Sequence, residues 1–306
     1  MSLNPDQRQE VESVRQDRAR TRRVVSEGME DHLHVVHDVL DHGFVRVVDY
    51  LGNDSSIVQA ARVSYGAGTR KTREDEGLIR YLMRHRHTTP FEMCEVKFHV
   101  KLPMFVARQW IRHRTANVNE YSARYSVLDR EFYIPDRHHL AGQSTLNAQG
   151  RSSPLPDDEA QRVLDILRND STRAYDHYEM MLSQDGQVGL SRELARMNLP
   201  ANVYTQWYWK VDLHNLLRFV ALRGDAHAQY EIRAYARKIG EVVRDWVPMT
   251  WRAFADYELG GAHLSAPQLE CVRRMLGGET VTRENSGMSP REWRELTEFL
   301  DGTSGS

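Results

Sequence analysis

Two cysteines, Cys94 and Cys271, are all that the 306 residues contain, which excludes a disulfide framework and a four-cysteine zinc site. No apolar run approaches the ~20 residues of a membrane helix, and no N-terminal stretch has the pattern of a secretory leader. The expectation is a cytoplasmic protein with no membrane partner. Charge of one sign is missing too. Lysine and arginine number 41 against 43 acids, a formal net charge of −2, so nothing pulls the whole molecule toward nucleic acid. Glycine-rich phosphate cradles are absent: there is no G-x-x-x-x-G-K-[ST], and the GAG at 66–68 lacks both the third glycine of G-x-G-x-x-G and a strand before it. No G-x-S-x-G elbow occurs either. A nucleotide bound here would have to be held by arginine forks, which match phosphate oxygens bidentately and stay charged at any working pH.

What is present reads as a mixed chain. Residues 1–23 are polar, with too few apolar positions to bury a face, and ordered structure is expected from about Phe44. FVRVVDYLG alternates as a strand. SSIVQAARVSYG suggests a helix capped by Ser55 or Ser56 and stopped by Gly66. TREDEGLIRYLMRHRH has a threonine cap at Thr72, acids in its first turn and bases in its last, as the helix dipole favours. In EVKFHVKLP, Val96, Phe98, Val100 and Leu102 alternate with Lys97, His99 and Lys101, predicting a half-buried strand. Pro103 suits the first turn of a helix over PMFVARQWIRHR.

Residues 136–157 are rich in Gly, Ser, Pro and Asn and read as an exposed loop. A long helix is expected from about Asp158 to Ser183, and a short one, SRELARMNLP, ends at Pro200. ANVYTQWYWKV has strand composition. LHNLLRFVALR and HAQYEIRAYARKIGEVVRDW show helical spacing. The stretch after Leu259 is weakly patterned and expected to be partly disordered. Strands and helices mix without regular βαβ alternation, so the fold class is α+β. The expected organisation is a polar, partly helical extension (1–43), one domain (44–258) and a C-terminal extension (259–306).

One stretch stands out chemically. RHRTANVNEYSARYS (112–126) carries three arginines and no lysine, and it follows the apolar PMFVARQWI. A solvated helix end would normally mix in lysine and glutamate. Here Asn119, Glu120, Ser122 and Arg124 offer donors and acceptors suited to a base or sugar edge. Ser122 invites reading as a nucleophile, but no base stands at local spacing to activate it, so it is expected to position substrate.

The thirteen residues RHRTANVNEYSAR resemble the signature RHR-x-x-S-x-N-x-x-S-x-R of the flavin-dependent thymidylate synthases. Arg112, His113, Arg114, Asn119, Ser122 and Arg124 agree, and Asn117 stands where the family usually has serine. The flanks HTTPFE (87–92), FHVKLPMFVARQWIRHR (98–114) and LRGDAHAQYEIR (222–233) match as well, so the resemblance covers roughly residues 44–257. It implies a central sheet flanked by helices. It also implies reductive methylation of dUMP to dTMP, with methylenetetrahydrofolate as carbon donor, FAD reduced by NADPH as hydride carrier, and no metal. The family lacks a nucleophilic cysteine, consistent with Cys94 acting as a small buried hydrophobe. A homotetramer with active sites shared between subunits is likewise implied.

Site residues follow by resemblance. Gln109, Glu120, Tyr121, Ser122, Ala123 and Arg124 correspond to the dUMP contacts, with Arg124 and Arg196 on the phosphate. Arg112 corresponds to a contact with both dUMP and FAD, and His113, Arg114, Thr89, Glu120, Asp212, His214 and Arg218 to flavin contacts. His87 and His227 correspond to histidines lining the folate and flavin pocket. Arg223 matches the catalytic arginine at the uracil, where a cation stabilises the N3 anion and makes C6 a better hydride acceptor. Helical spacing would put Gln109 on the face of Arg112, and His227 on that of Arg223.

Two other readings compete. HLHVVHD gives His32, His34 and His37 passable spacing for a metal hydrolase. VRQDRARTRR (14–23) together with RHR would suit a nucleic-acid binder, which the balanced charge disfavours.

Overall fold

The computed structural model describes residues 3–63, 75–143, 151–182 and 189–302 and divides into two compact units, Met1–Ala253 and Phe254–Ser306. The expected Gly66 stop and Thr72 cap, and the end of the tail beyond residue 302, lie outside the described residues.

The first unit is built on an antiparallel sheet of five strands. β1 (Val36–Val39), β2 (Gly43–Leu51), β3 (Glu95–Pro103), β4 (Asn117–Glu120) and β7 (Tyr204–Asp212) lie in the order β1-β2-β3-β7-β4. The sheet therefore begins at Val36, not at Phe44. β5 (Ala141–Gln143) and β6 (Arg151–Pro154) pair separately as a small hairpin within the stretch expected to be loop.

Register explains the core. Val47, Phe98 and Trp209 face one another across β2, β3 and β7, as do Val45, Val100 and Trp207, and all are buried. Against this face pack α6 (Met104–Trp110), α9 (Leu213–Gly224) and α10 (Tyr230–Trp246). Trp110 from α6 stacks on Phe219 of α9 at 4.5 Å between ring centroids. It meets Trp209 and Trp207 edge-on at 5.1 and 5.8 Å. Rings of this size supply much of the buried apolar area, and edge-to-face contacts add further stabilisation.

The other face departs from expectation. His99 and Lys101 alternate away from the core, yet both are buried, as is Arg46 opposite His99. The cover comes from distant segments. Lys101 pairs with Glu131. α1 (Pro5–Gln16) buries Val11 and donates from Gln7 Nε2 to Gln206 Oε1 at 3.1 Å. Within α1 Val11 alone is buried, so the helix covers this side with one apolar side chain and a polar bond, in keeping with its few apolar positions. His99 is consequently pushed down to about 4 by burial and by the Arg46 guanidinium.

Local caps also differ in detail. α3 (Asp54–Arg62) is capped by Asn53, whose side chain accepts from the Ser55 and Ser56 amides, so the serines are the capped residues and not the cap. α4 (Asp75–Arg84) and the one-turn α5 (Thr89–Glu92) lead into β3. α2 (Glu27–Glu30) precedes β1. α7 (Asp157–Leu182) is the expected long helix, and α8 (Arg192–Ala195) passes into a 3-10 turn at Arg196–Asn198. α11 (Pro248–Phe254) has its first amides capped from afar: Asp54 accepts from Met249 N and Thr250 N, both at 2.9 Å, and from Thr250 Oγ1 at 2.7 Å.

The second unit, within the stretch read as weakly patterned, carries two helices with clear start signals. α12 (Ala266–Leu276) and α13 (Pro290–Leu300) each begin with a capping box, Ser265 with Gln268 and Ser289 with Glu292, and Cys271 and Leu296 are buried.

Candidate active site

The strongest charge feature forms where α6 ends. The helix stops at Trp110, and Ile111 and Arg112 turn out of it, so Gln109 and Arg112 do not share a helical face. His113 is half-buried, edge-on to Phe219 at 5.1 Å. Arg223, in the last turn of α9, donates from Nε to His113 Nε2 at 3.0 Å. Burial, and then the cations Arg223, Arg218 and Arg112, push His113 down to about 4. It is therefore neutral near pH 7 and accepts that bond, which fixes its own proton on Nδ1. Burial and Arg112 lower Arg223 itself.

Among the described residues, Arg112, Arg114, Arg218 and Arg223 have no ion pair. A group of unpaired guanidinium groups around a neutral imidazole is poised for an anion. On α6, the buried Oε1 of Gln109 has no hydrogen-bond partner among the described residues, so a donor-bearing ligand would relieve it. On α9, Asp212 is committed as the helix cap, accepting from Asn215 N at 2.9 Å and from Asn215 Nδ2 at 2.8 Å, while His214 is half-buried.

A second group lies along the sheet edge and the following turn. Glu120 ends β4 and accepts from Thr205 Oγ1 at 2.8 Å. The Tyr121 amide donates to Gln206 O at 2.7 Å. Ser122 Oγ accepts from the Arg124 amide at 3.3 Å, a turn-forming contact, and no base is bonded to it. Ala123 is buried against Leu128 and Val203, anchoring the loop. Arg124 lies 3.6 Å from the Glu193 carboxylate, and Arg196 donates from Nε to Glu193 O at 3.3 Å. These two residues, seventy-two apart in sequence, therefore flank one short helix. Arg192, which sequence reasoning missed, joins them by donating to Tyr125 O at 2.8 Å. Its signal was the four-residue spacing from Arg196 in RELAR.

A third group lies around α5. Thr89 and His87 are exposed and line a cleft with Tyr81, Leu82 and Met93. His227 falls outside all three groups: α9 stops at Gly224, so helical spacing from Arg223 does not carry to it, and its ring is exposed and held by Asp225 at 3.0 Å. No side-chain hydrogen bond or ion pair among the described residues joins one group to another.

The metal reading fails on geometry. His32 bonds His37 (Nδ1···Nε2, 3.0 Å) and Asp245 (3.0 Å), while His34 takes a left-handed backbone and has no bond to either histidine among the described residues. No group of three side chains suited to a metal ion occurs among the described residues. Cys94 is buried with its thiol pushed up to about 12 by burial and Asp54, which makes it inert. No helix among the described residues is long and apolar enough to cross a membrane.

Comparison with known proteins decides the family. The model of the thymidylate synthase complementing protein family matches residues 46–249. The flavin-dependent thymidylate synthase of Ruegeria pomeroyi is 65% identical over 98% of this chain and 99% of its own. This chain belongs to the flavin-dependent thymidylate synthase family. The Gluconobacter oxydans enzyme of that name is 61% identical over 99% of this chain and 100% of its own. Among solved structures, a UMP/dUMP methylase from Streptomyces cacaoi bound with 5-Br UMP is 33% identical, with a TM-score of 0.64, over 71% of this chain and 95% of that one. The family's signature loop is the stretch that turns out of α6 here, and its fold is the mixed helix and antiparallel sheet described above.

Proposed function

We propose that the protein carries out the reductive methylation of dUMP to dTMP, with methylenetetrahydrofolate as carbon donor and FAD reduced by NADPH. The observation that carries this is the group of three guanidinium groups, Arg112, Arg218 and Arg223, without ion pairs among the described residues, around a neutral His113, in a chain whose relatives bear that name. Arg112, Arg114 and Arg218 suit the pyrophosphate of FAD, as exposed cations with no carboxylate to displace. FAD, when bound, supplies the hydride.

The remaining work falls to side chains of this chain. Arg124, Arg192 and Arg196 bind the dUMP phosphate, at the cost of loosening Glu193 from Arg124. Ser122 and the Ala123 anchor hold the substrate loop. Arg223 meets the uracil edge and stabilises negative charge that builds there. His113 orients that guanidinium by accepting from Nε, leaving both terminal nitrogens for the ring. A homotetramer whose active sites draw on more than one subunit is part of this reading.

The test is chemical. Purified protein should release FAD on denaturation, or take it up, and should form dTMP from dUMP, methylenetetrahydrofolate and NADPH. Failure to bind FAD together with absence of dTMP sinks the reading.

A further inference from the structure

The cleft around α5 has a wall that the family model, beginning at residue 46, does not include. Arg22, Arg23 and Val24 line it together with His87 and Thr89. Their position is fixed by a row of bonds from the next residues. Arg23 donates to Asp49 at 3.0 Å and to Tyr50 O at 3.2 Å, lies over the Tyr50 ring at 4.7 Å, and approaches Glu30 at 3.6 Å. Asn53 Nδ2 donates to Val25 O at 3.1 Å, and Ser26 donates from Oγ to Trp246 O at 2.8 Å. Arg23 is thus spent as an anchor. Arg22, beside it, has no ion pair among the described residues and is exposed at the cleft.

The cleft also exposes apolar surface that a soluble face normally hides. Val24, Leu51, Tyr81 and Met93 are 43%, 54%, 44% and 53% exposed. Tyr81 is grouped with the His85 and His87 rings at 4.4 and 5.8 Å. An apolar floor with an aromatic edge suits a flat ring system, and a single free guanidinium on the rim suits an anionic tail.

We propose that residues 22–24 form one wall of the co-substrate cleft, and that Arg22 receives the anionic tail of the ligand bound there. Two ligands of the reaction share that chemistry: the folate, through the carboxylates of its glutamate chain, and NADPH, through its phosphates. The inference rests on the function proposed above, and wild-type dTMP formation checks that reading separately.

The experiment uses the full-length protein with Arg22→Ala, Arg22→Glu and Arg22→Lys. KM is measured for methylenetetrahydrofolate in mono- and triglutamate forms, for NADPH and for dUMP, with FAD content and oligomer mass alongside. An exposed ion pair contributes up to about fivefold, so Arg22→Ala should raise one co-substrate KM by about two- to fivefold. Arg22→Glu should raise it further, and Arg22→Lys should stay near wild type. A rise for triglutamate alone assigns the tail to folate, and a rise for NADPH alone assigns it to the dinucleotide. Flat constants for both co-substrates overturn the proposal. So does a uniform rise that includes dUMP, or a change in oligomer mass with unchanged kinetics, which would make the wall a contact between copies.

Discussion

Replacing Arg223 by alanine tests the centre of the site through two independent readouts. In the folded protein His113 titrates at about 4 where a free imidazole would titrate at 6.5, because burial is the largest influence and Arg223 the next, ahead of Arg218 and Arg112. Removing Arg223 deletes one cation and the 3.0 Å donor to Nε2, but leaves the burial and two guanidinium groups. The titration midpoint of His113, followed by NMR of the labelled imidazole, should therefore rise above 4 and stop short of 6.5. The pH dependence of stability shifts with it. In the wild type the unfolded chain takes up this proton first, so acidification from 6.5 toward 4 favours unfolding, and the variant should show less of that loss. The second readout is turnover. Loss of one preorganised donor at developing charge typically costs on the order of 100- to 1000-fold, about 2.7–4 kcal/mol. Lysine should not restore it, since a point charge lacks the fork that reaches both His113 and a ring edge. A midpoint unmoved from about 4, or dTMP formation within tenfold of wild type, refutes the reasoning.

Two further outcomes are expected. Asn117 is exposed on β4 opposite Lys210, so Asn117→Ser should keep dTMP formation within a few-fold; a loss beyond about 100-fold, or 2.7 kcal/mol, would show that the strand edge is wired differently. Asp54→Ala strips the acceptor from two backbone amides and a hydroxyl at the start of α11, where Thr250 is fully buried. At about 1–3 kcal/mol for each unsatisfied buried donor, the two on Thr250 should together cost roughly 2–6 kcal/mol in urea unfolding, with Asp54→Asn costing less; an unchanged midpoint would show that water replaces the carboxylate.

Much of this was legible because the signals are local. The alternation in β3 assigned its faces correctly, and the arginine loop announced itself by composition. What stayed hidden was set by partners far along the chain. His99 and Lys101 read as exposed because their cover, α1 and Glu131, is not adjacent in sequence. The Arg223–His113 bond spans 110 residues, so no spacing rule could reveal it. Other misses had a readable cause. S-A-P-Q and S-P-R-E are capping boxes with proline in the first turn, so α12 and α13 carried their start signals despite weak apolar patterning. His227 was placed on the face of Arg223 by its four-residue spacing, although Gly224 already ends α9.

The aromatic cluster beneath the arginine loop gives the protein an optical reporter that needs no label. Trp110, Trp207 and Trp209 are each at most 2% exposed and lie within 6 Å of one another through Trp110. Indoles sealed from water emit at shorter wavelength than solvated ones and pass excitation readily at such separations. Only three of the six tryptophans lie outside this cluster, so its emission should make up a large share of the total. A yellow cofactor seated on the loop that turns out of Trp110 would drain it, and titrating flavin into the apoprotein could be followed by the dimming of the protein's own light.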